Sequence, residues 1–217
     1  MSLDLVVASF TSFFVTIDPI GVVPIFLSLT ARLPASERRR VALRGTAVAA
    51  VVLVGFALVG EALLNWLGVG MAAFRIAGGL LLLVVAGEML FERRNERRAQ
   101  RADSAAEGEA DALAVFPLAV PLLAGPAALT AAVLMMSEQA GDTADQLTVL
   151  ATLLVVITGA GVLLLLASRV AGLLGRGAID VVTRLLGIVL AALAIQFVLD
   201  GVFQAVGERL PNVAPEG

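Results

Sequence analysis

The chain alternates long apolar runs with short polar ones. None of the runs shows the period-two pattern of a half-buried strand, so they read as helices. Six runs reach the roughly 20 apolar residues that a membrane-crossing helix needs. They cover about 5–30, 42–64, 71–91, 112–137, 146–168 and 181–203. Asp18 interrupts the first run, Arg75 and Glu88 sit in the third, and the fourth and fifth carry no charge. The first run is preceded by Asp4 rather than a basic stretch and continues into Asp18-Pro19 with no small-residue cleavage signal. It is expected to be a retained span, not a leader.

Composition agrees with the pattern. Hydrophobic residues make up 59% of the 217, charged residues only 15%, and the mean hydropathy is +0.99. A soluble domain carries about 25% charged residues. The expected class is an all-α, polytopic membrane protein in the lipid bilayer. A net charge of −3 leaves no basic face for nucleic acid. Cys, His, Lys and Tyr are all absent. That removes thiolate and imidazole ligands, Ser–His and Cys–His catalysis, and the usual neutral-pH proton shuttle. No enzyme, cofactor or metal site is expected.

Arginine sets the expected orientation, because basic residues accumulate on the cytoplasmic side. Thirteen of fifteen arginines fall in one set of loops: Arg32, Arg38–40 and Arg44; Arg93, Arg94, Arg97, Arg98 and Arg101; and Arg169, Arg176 and Arg184. Only Arg75 and Arg209 lie toward the other side. Six spans then place both termini outside the cytoplasm.

The second half echoes the first. Ala124-Gly125-Pro126 matches Ile17-Asp18-Pro19 at an offset of 107, and Arg184-x-x-Gly187 matches Arg75-x-x-Gly78 at an offset of 109. Each half holds three spans, an odd number, so the second must be upside down relative to the first. The expected organisation is one membrane domain. Residues 1–91 form the first three-helix repeat, 92–111 a cytoplasmic loop, and 112–217 the inverted second repeat. Inverted repeats of this kind are characteristic of secondary transporters.

Helix breakers sit mid-membrane in corresponding spans. They are Asp18-Pro19-Ile20-Gly21 with Pro24 in helix one, and Pro117, Pro121 and Gly125-Pro126 in helix four. Proline removes an amide donor and frees a carbonyl. Such backbone survives in a membrane only inside protein or beside a cavity. Helices one and four are therefore expected to be discontinuous. Their broken ends offer free amides for a carboxylate and free carbonyls for an ammonium, which suits a small zwitterion. The candidate substrate-binding residues are Ile17, Asp18, Ile20, Gly21, Ala124, Gly125, Ala127, Ala128 and Thr130. Asp18 is the acid nearest the middle of a span, and burying it costs about 2.5–3.5 kcal/mol on insertion scales. It reads either as a cap on the following half-helix or as a residue that also faces substrate or a coupling proton. Glu61 and Arg75 lie near the same ends of helices two and three and are expected to form a structural ion pair. Gln196, Asn65 and Thr130 read as interhelical contacts or cavity lining.

At these residues the chain resembles the MarC family, also called the small neutral amino acid transporter (SnatA-like) family. The stretches TIDPIGVVPIFLSL from Thr16, FRIAGGLLLLVVAGEML from Phe74, PLAVPLLAGPAALT from Pro117 and RLLGIVLAALAIQFVLDG from Arg184 carry the resemblance. Where the family typically has Gly after Gly-Pro, this chain has Ala127. The resemblance implies a multi-pass protein of a bacterial or archaeal cytoplasmic (inner) membrane, with discontinuous helices one and four. It implies transport of glycine, alanine, serine and similar small neutral amino acids, coupled to a proton or sodium gradient. The other readings are a non-transporting membrane scaffold or a channel-like exporter of another small solute or ion. Oligomeric state, direction and exact substrate stay open.

Overall fold

A computed structural model of the chain describes residues 3–91 and 110–209, without the side chains of 168, 170–176, 208 and 209. Most of the expected 92–111 loop, with Arg93, Arg94, Arg97, Arg98 and Arg101, lies outside the described residues. Every element among the described residues is helical. In chain order they are α1 (Leu3–Ile17), α2 (Pro19–Leu29), α3 (Ala35–Trp66), α4 (Met71–Leu90), a single turn α5 (Ala110–Leu113) and a wide-turn stretch (Ala114–Leu123). Then come α6 (Pro126–Glu138), α7 (Thr143–Leu165) and α8 (Ala167–Arg209).

Five helical stretches are long and apolar enough to cross a membrane: Leu3–Leu29, Ala35–Trp66, Met71–Leu90, Thr143–Leu165 and Gly177–Gly207. The sixth expected span is Ala110–Leu123 with Pro126–Glu138, bent by 60° between its halves. Two helices outrun their apolar cores. α3 begins at Ala35 and α8 at Ala167, well before the apolar runs at about 42 and 181. Ser36-Glu37-Arg38-Arg39-Arg40 is polar but made of adequate helix formers, and residues 167–181 contain no proline. Charge ends a hydropathy run; it does not end a helix.

The interrupted spans form the centre. The most apolar window of Leu3–Leu29 is 72% buried, against 22% for Ala35–Trp66, which faces outward. α6 is enclosed as well: Ala127, Ala128 and the unbroken run Thr130–Met136 are buried. α1 packs on α6 and α7, α2 on α7 and α8, and α3 covers the wide-turn stretch and α6.

Glycines let these helices approach one another. In lipid there is little hydrophobic drive between helices, so close packing of small residues carries association. The longest seam joins α4 and α8, antiparallel. A Cβ on Gly79 would stand 2.7 Å from the Ala194 carbonyl oxygen; on Gly201, 3.0 Å from that of Ala72; on Gly187, 3.0 Å from Met89 Cβ. The three contacts run along most of α4, so the seam is continuous rather than a crossing point.

Candidate functional site

The first interruption is a single residue. Asp18 has φ 54 and ψ 63, the left-handed region, where Asp is one of the few non-glycine residues tolerated. Helical hydrogen bonding carries past it on both sides. The Asp18 amide donates to the Phe14 carbonyl at 3.0 Å, and the Val22 amide to the Asp18 carbonyl at 3.2 Å. α1 and α2 therefore continue as one 27-residue span. Pro19 fits at the first position of α2, where an amide proton has no partner anyway. Asp18 is fully buried, and its Oδ1 accepts the Gly21 amide at 3.1 Å. Pro24, inside α2, has no amide to give the Ile20 carbonyl.

Gly21 is small for a local reason. A Cβ there would collide with Asp18 Oδ2 and lie 2.8 Å from Oδ1. Whatever binds nearby, the cap alone requires a residue without a side chain here. The Gly21 amide, expected as a carboxylate donor for substrate, donates to Asp18 instead.

The second interruption is longer and differently built. Phe116 (φ −130, ψ 124) and Val120 (φ −126, ψ 122) are extended. Each precedes a proline, whose ring clashes with a helical conformation at the residue before it. The Ala124 amide reaches back to the Ala119 carbonyl at 2.8 Å and closes a wide turn. Gly125 (φ −81, ψ 169) then caps α6 without a side chain to accept its first amides, and Pro126 again takes the first position. A Cβ on Gly125 would sit 2.7 Å from the Pro121 carbonyl oxygen, so here too glycine answers a backbone contact. Ala124, Ala127 and Ala128 are buried, at 1%, 4% and 1% exposure.

The two breaks therefore differ in electrostatics. The first carries its own carboxylate on the start of α2. The second leaves the positive end of α6 uncapped by any side chain. Ile17, Ala124, Ala127 and Ala128 belong to one buried cluster. Ile20 is half-buried, and Thr130 is buried on α6 with its methyl seated where Gly78 of α4 has no side chain. Pro126 reaches the surface.

Arg75 is corrected. It pairs with Glu138 at the end of α6, Nη2 to Oε1 3.4 Å, and not with Glu61. α3 and α4 follow each other in sequence but touch only briefly, whereas α4 lies along α6 at Gly78 and Thr130. Gln196 is not interhelical; it donates to Asp200 one turn on, at 2.9 Å. The sequence reading missed Glu138 as a partner and Gly78 as the seat of Thr130. Glu138 sits at the same end of the bundle as Arg75, so charge and depth admitted it. Choosing between two acids at one depth requires knowing which helices are neighbours.

Among the described residues no group of three or more Asp or Glu comes together to hold a metal ion. The architecture is that of a polytopic α-helical integral membrane protein. Residues 3–206 match the family described as MarC family integral membrane protein, and the chain belongs to that family. It is 37% identical to a UPF0056 membrane protein of Methanocaldococcus jannaschii, over 93% of this chain and 98% of that one. It is also 37% identical to a UPF0056 membrane protein of Archaeoglobus fulgidus, over 89% and 90%. Identity to the Escherichia coli UPF0056 membrane protein YhcE is 27%, over 89% of each chain. No solved structure matches it.

Proposed function

We propose that this chain is a secondary transporter, not an enzyme, that moves small neutral amino acids of the glycine, alanine and serine class across the cytoplasmic membrane. Transport is coupled to a proton or sodium gradient and works by alternating access around the interrupted helices. The observation that carries this reading is the complementary pair of buried breaks: a carboxylate at Asp18 and uncapped helix amides at Ala127 and Ala128. A zwitterion needs one of each. Its carboxylate meets the α6 amides, and its ammonium meets Asp18 or the carbonyls near Ile17 and Ala124. A scaffold has no use for two interruptions in its most buried spans.

The α4–α8 seam supports the inverted repeat. At the offset of 109, Met89 corresponds to Val198 and Gly78 to Gly187. A Cβ on Gly79 would meet Val198 Cγ2 at 2.7 Å, and one on Gly187 would meet Met89 Cβ at 3.0 Å. Within one residue these are the same contact made twice, as a two-fold axis between the halves requires.

Proteoliposomes test the reading. Labelled glycine should accumulate under an imposed proton or sodium gradient and exchange in counterflow without one. Absence of both with correctly folded protein would overturn the transport assignment.

A further inference from the structure

We propose that the arginine-rich end of the bundle holds an anionic phospholipid, with its phosphate against Arg38 and Arg39 and its acyl chains beside Leu164 and Leu165. A cavity of about 320 Å³ lies between the start of α3 and the end of α7, lined by Ala35, Arg38, Arg39, Leu164 and Leu165. Basic cavities between membrane helices at this level suit lipid headgroups.

The four arginines of the first α3 turns divide into two pairs. Arg40 and Arg44 are committed to Asp111, at 3.3 and 2.7 Å. Arg38 and Arg39 have no ion pair among the described residues. Arg38 Nη2 donates to the Thr30 carbonyl at 3.4 Å, which anchors the side chain against the end of α2. Its Nε is buried with no hydrogen-bond partner. A buried charged donor left unmet is costly, and a phosphate oxygen would meet it. α3 also begins without a side-chain cap, since Pro34 precedes it, so its first amides stand free at the cavity rim. The opposite wall is leucine, and Leu165 is 41% exposed at the end of a membrane span. A free phosphate has nothing to gain from that wall; an acyl chain does.

Native mass spectrometry of the full chain, released from mixed micelles of phosphatidylglycerol and phosphatidylcholine, tests the site. Wild type should retain one phosphatidylglycerol in preference to phosphatidylcholine. Arg38→Gln/Arg39→Gln should lower that preference about 30-fold, each arginine near an anionic headgroup contributing about fivefold. Arg40→Gln/Arg44→Gln should leave it in place. Arg39 is exposed, so Arg39→Gln alone keeps the fold and should still lose about fivefold if the double variant does not fold. Equal retention of both lipids by wild type, or an unchanged preference in Arg39→Gln, would overturn the proposal. Displacement of the bound lipid by inorganic phosphate would overturn the assignment to a lipid and leave a simple anion site.

Discussion

Asp18 combines three properties that the sequence states separately: a left-handed backbone, a cap on Gly21, and a carboxyl group with no exposure to solvent. Substitutions can take them apart. Asn tolerates the left-handed region and keeps an oxygen for the Gly21 amide, so Asp18→Asn keeps backbone and cap and removes the acid. Asp18→Ala removes the cap and places a Cβ without polar compensation in that region. Asp18→Ala should therefore lower stability by about 2–3 kcal/mol, the sum of a lost cap and a left-handed alanine. Asp18→Asn should change stability by less than about 0.5 kcal/mol, as a swap of one good cap for another. Denaturation midpoints in detergent read both. If the carboxylate couples transport to protons, Asp18→Asn also abolishes gradient-driven accumulation while counterflow persists. Accumulation at the wild-type level in Asp18→Asn removes Asp18 from that role. The sequence made the residue conspicuous, an acid before proline in an apolar run. It could not separate cap from carrier, because both roles ask for the same carboxylate. Gly21 and Gly125 pose a related problem. Each is small because a neighbouring oxygen occupies the space of its Cβ. Substitutions there disturb the backbone whether or not a substrate binds.

At the level of elements, proline and glycine punctuation marked where the helical geometry departs from regular, at Asp18 and from Phe116 to Gly125. The form of each break depended on chemistry that a motif does not show. One break needs a single left-handed residue and keeps its span in line; the other needs two pre-proline residues and turns its span by 60°. Ala128, buried in the first turn of α6 behind that bend, gives the cleaner probe of the site. Ala128→Leu should suppress alanine counterflow more than glycine counterflow, since the added bulk competes with a substrate methyl. Equal loss of both, with intact fold, would place the substrate elsewhere. The α4–α8 seam was invisible to hydropathy, because a glycine facing a carbonyl and a glycine facing lipid score alike. The contrast is testable within α4. Gly79→Val overpacks against the Ala194 carbonyl and should destabilise by about 1–3 kcal/mol. Gly87 meets nothing within 4 Å, so Gly87→Ala should be neutral or stabilising by up to about 1 kcal/mol through helix propensity. A thermal shift of equal size and sign in both would show that the seam does not carry the packing assigned to it.

For the whole molecule, the fold class follows from composition and run length alone, and the neighbours of each helix do not. Arg75 shows the limit: its depth was legible, but its partner on α6 depended on the arrangement of the bundle. Orientation is a different kind of inference, since it comes from counting charges and not from contacts. Thirteen of fifteen arginines fall, along the sequence, toward the same ends of the apolar runs, several of them on α3 and α8. Ser36, at the start of α3, stands at that end; Ala140, between α6 and α7, stands at the other, where Asp142 and, in the first turn of α7, Asp145 are present but no arginine. The asymmetry favours the arginine-rich end in the cytoplasm. The chain has no cysteine, so a single introduced thiol reports on one position without background. Both sites are exposed in the fold. On intact cells a membrane-impermeant maleimide should label Ala140→Cys, and should label Ser36→Cys only after the membrane is permeabilised. The opposite labelling would invert the orientation. It would also move Arg38 and Arg39 to the outer leaflet, where any phospholipid they bind would have to come from that side. Labelling of both positions in intact cells would mean that the chain inserts in two orientations. Two orientations, like the inverted one, are an outcome that the thirteen-to-two distribution of arginine should forbid.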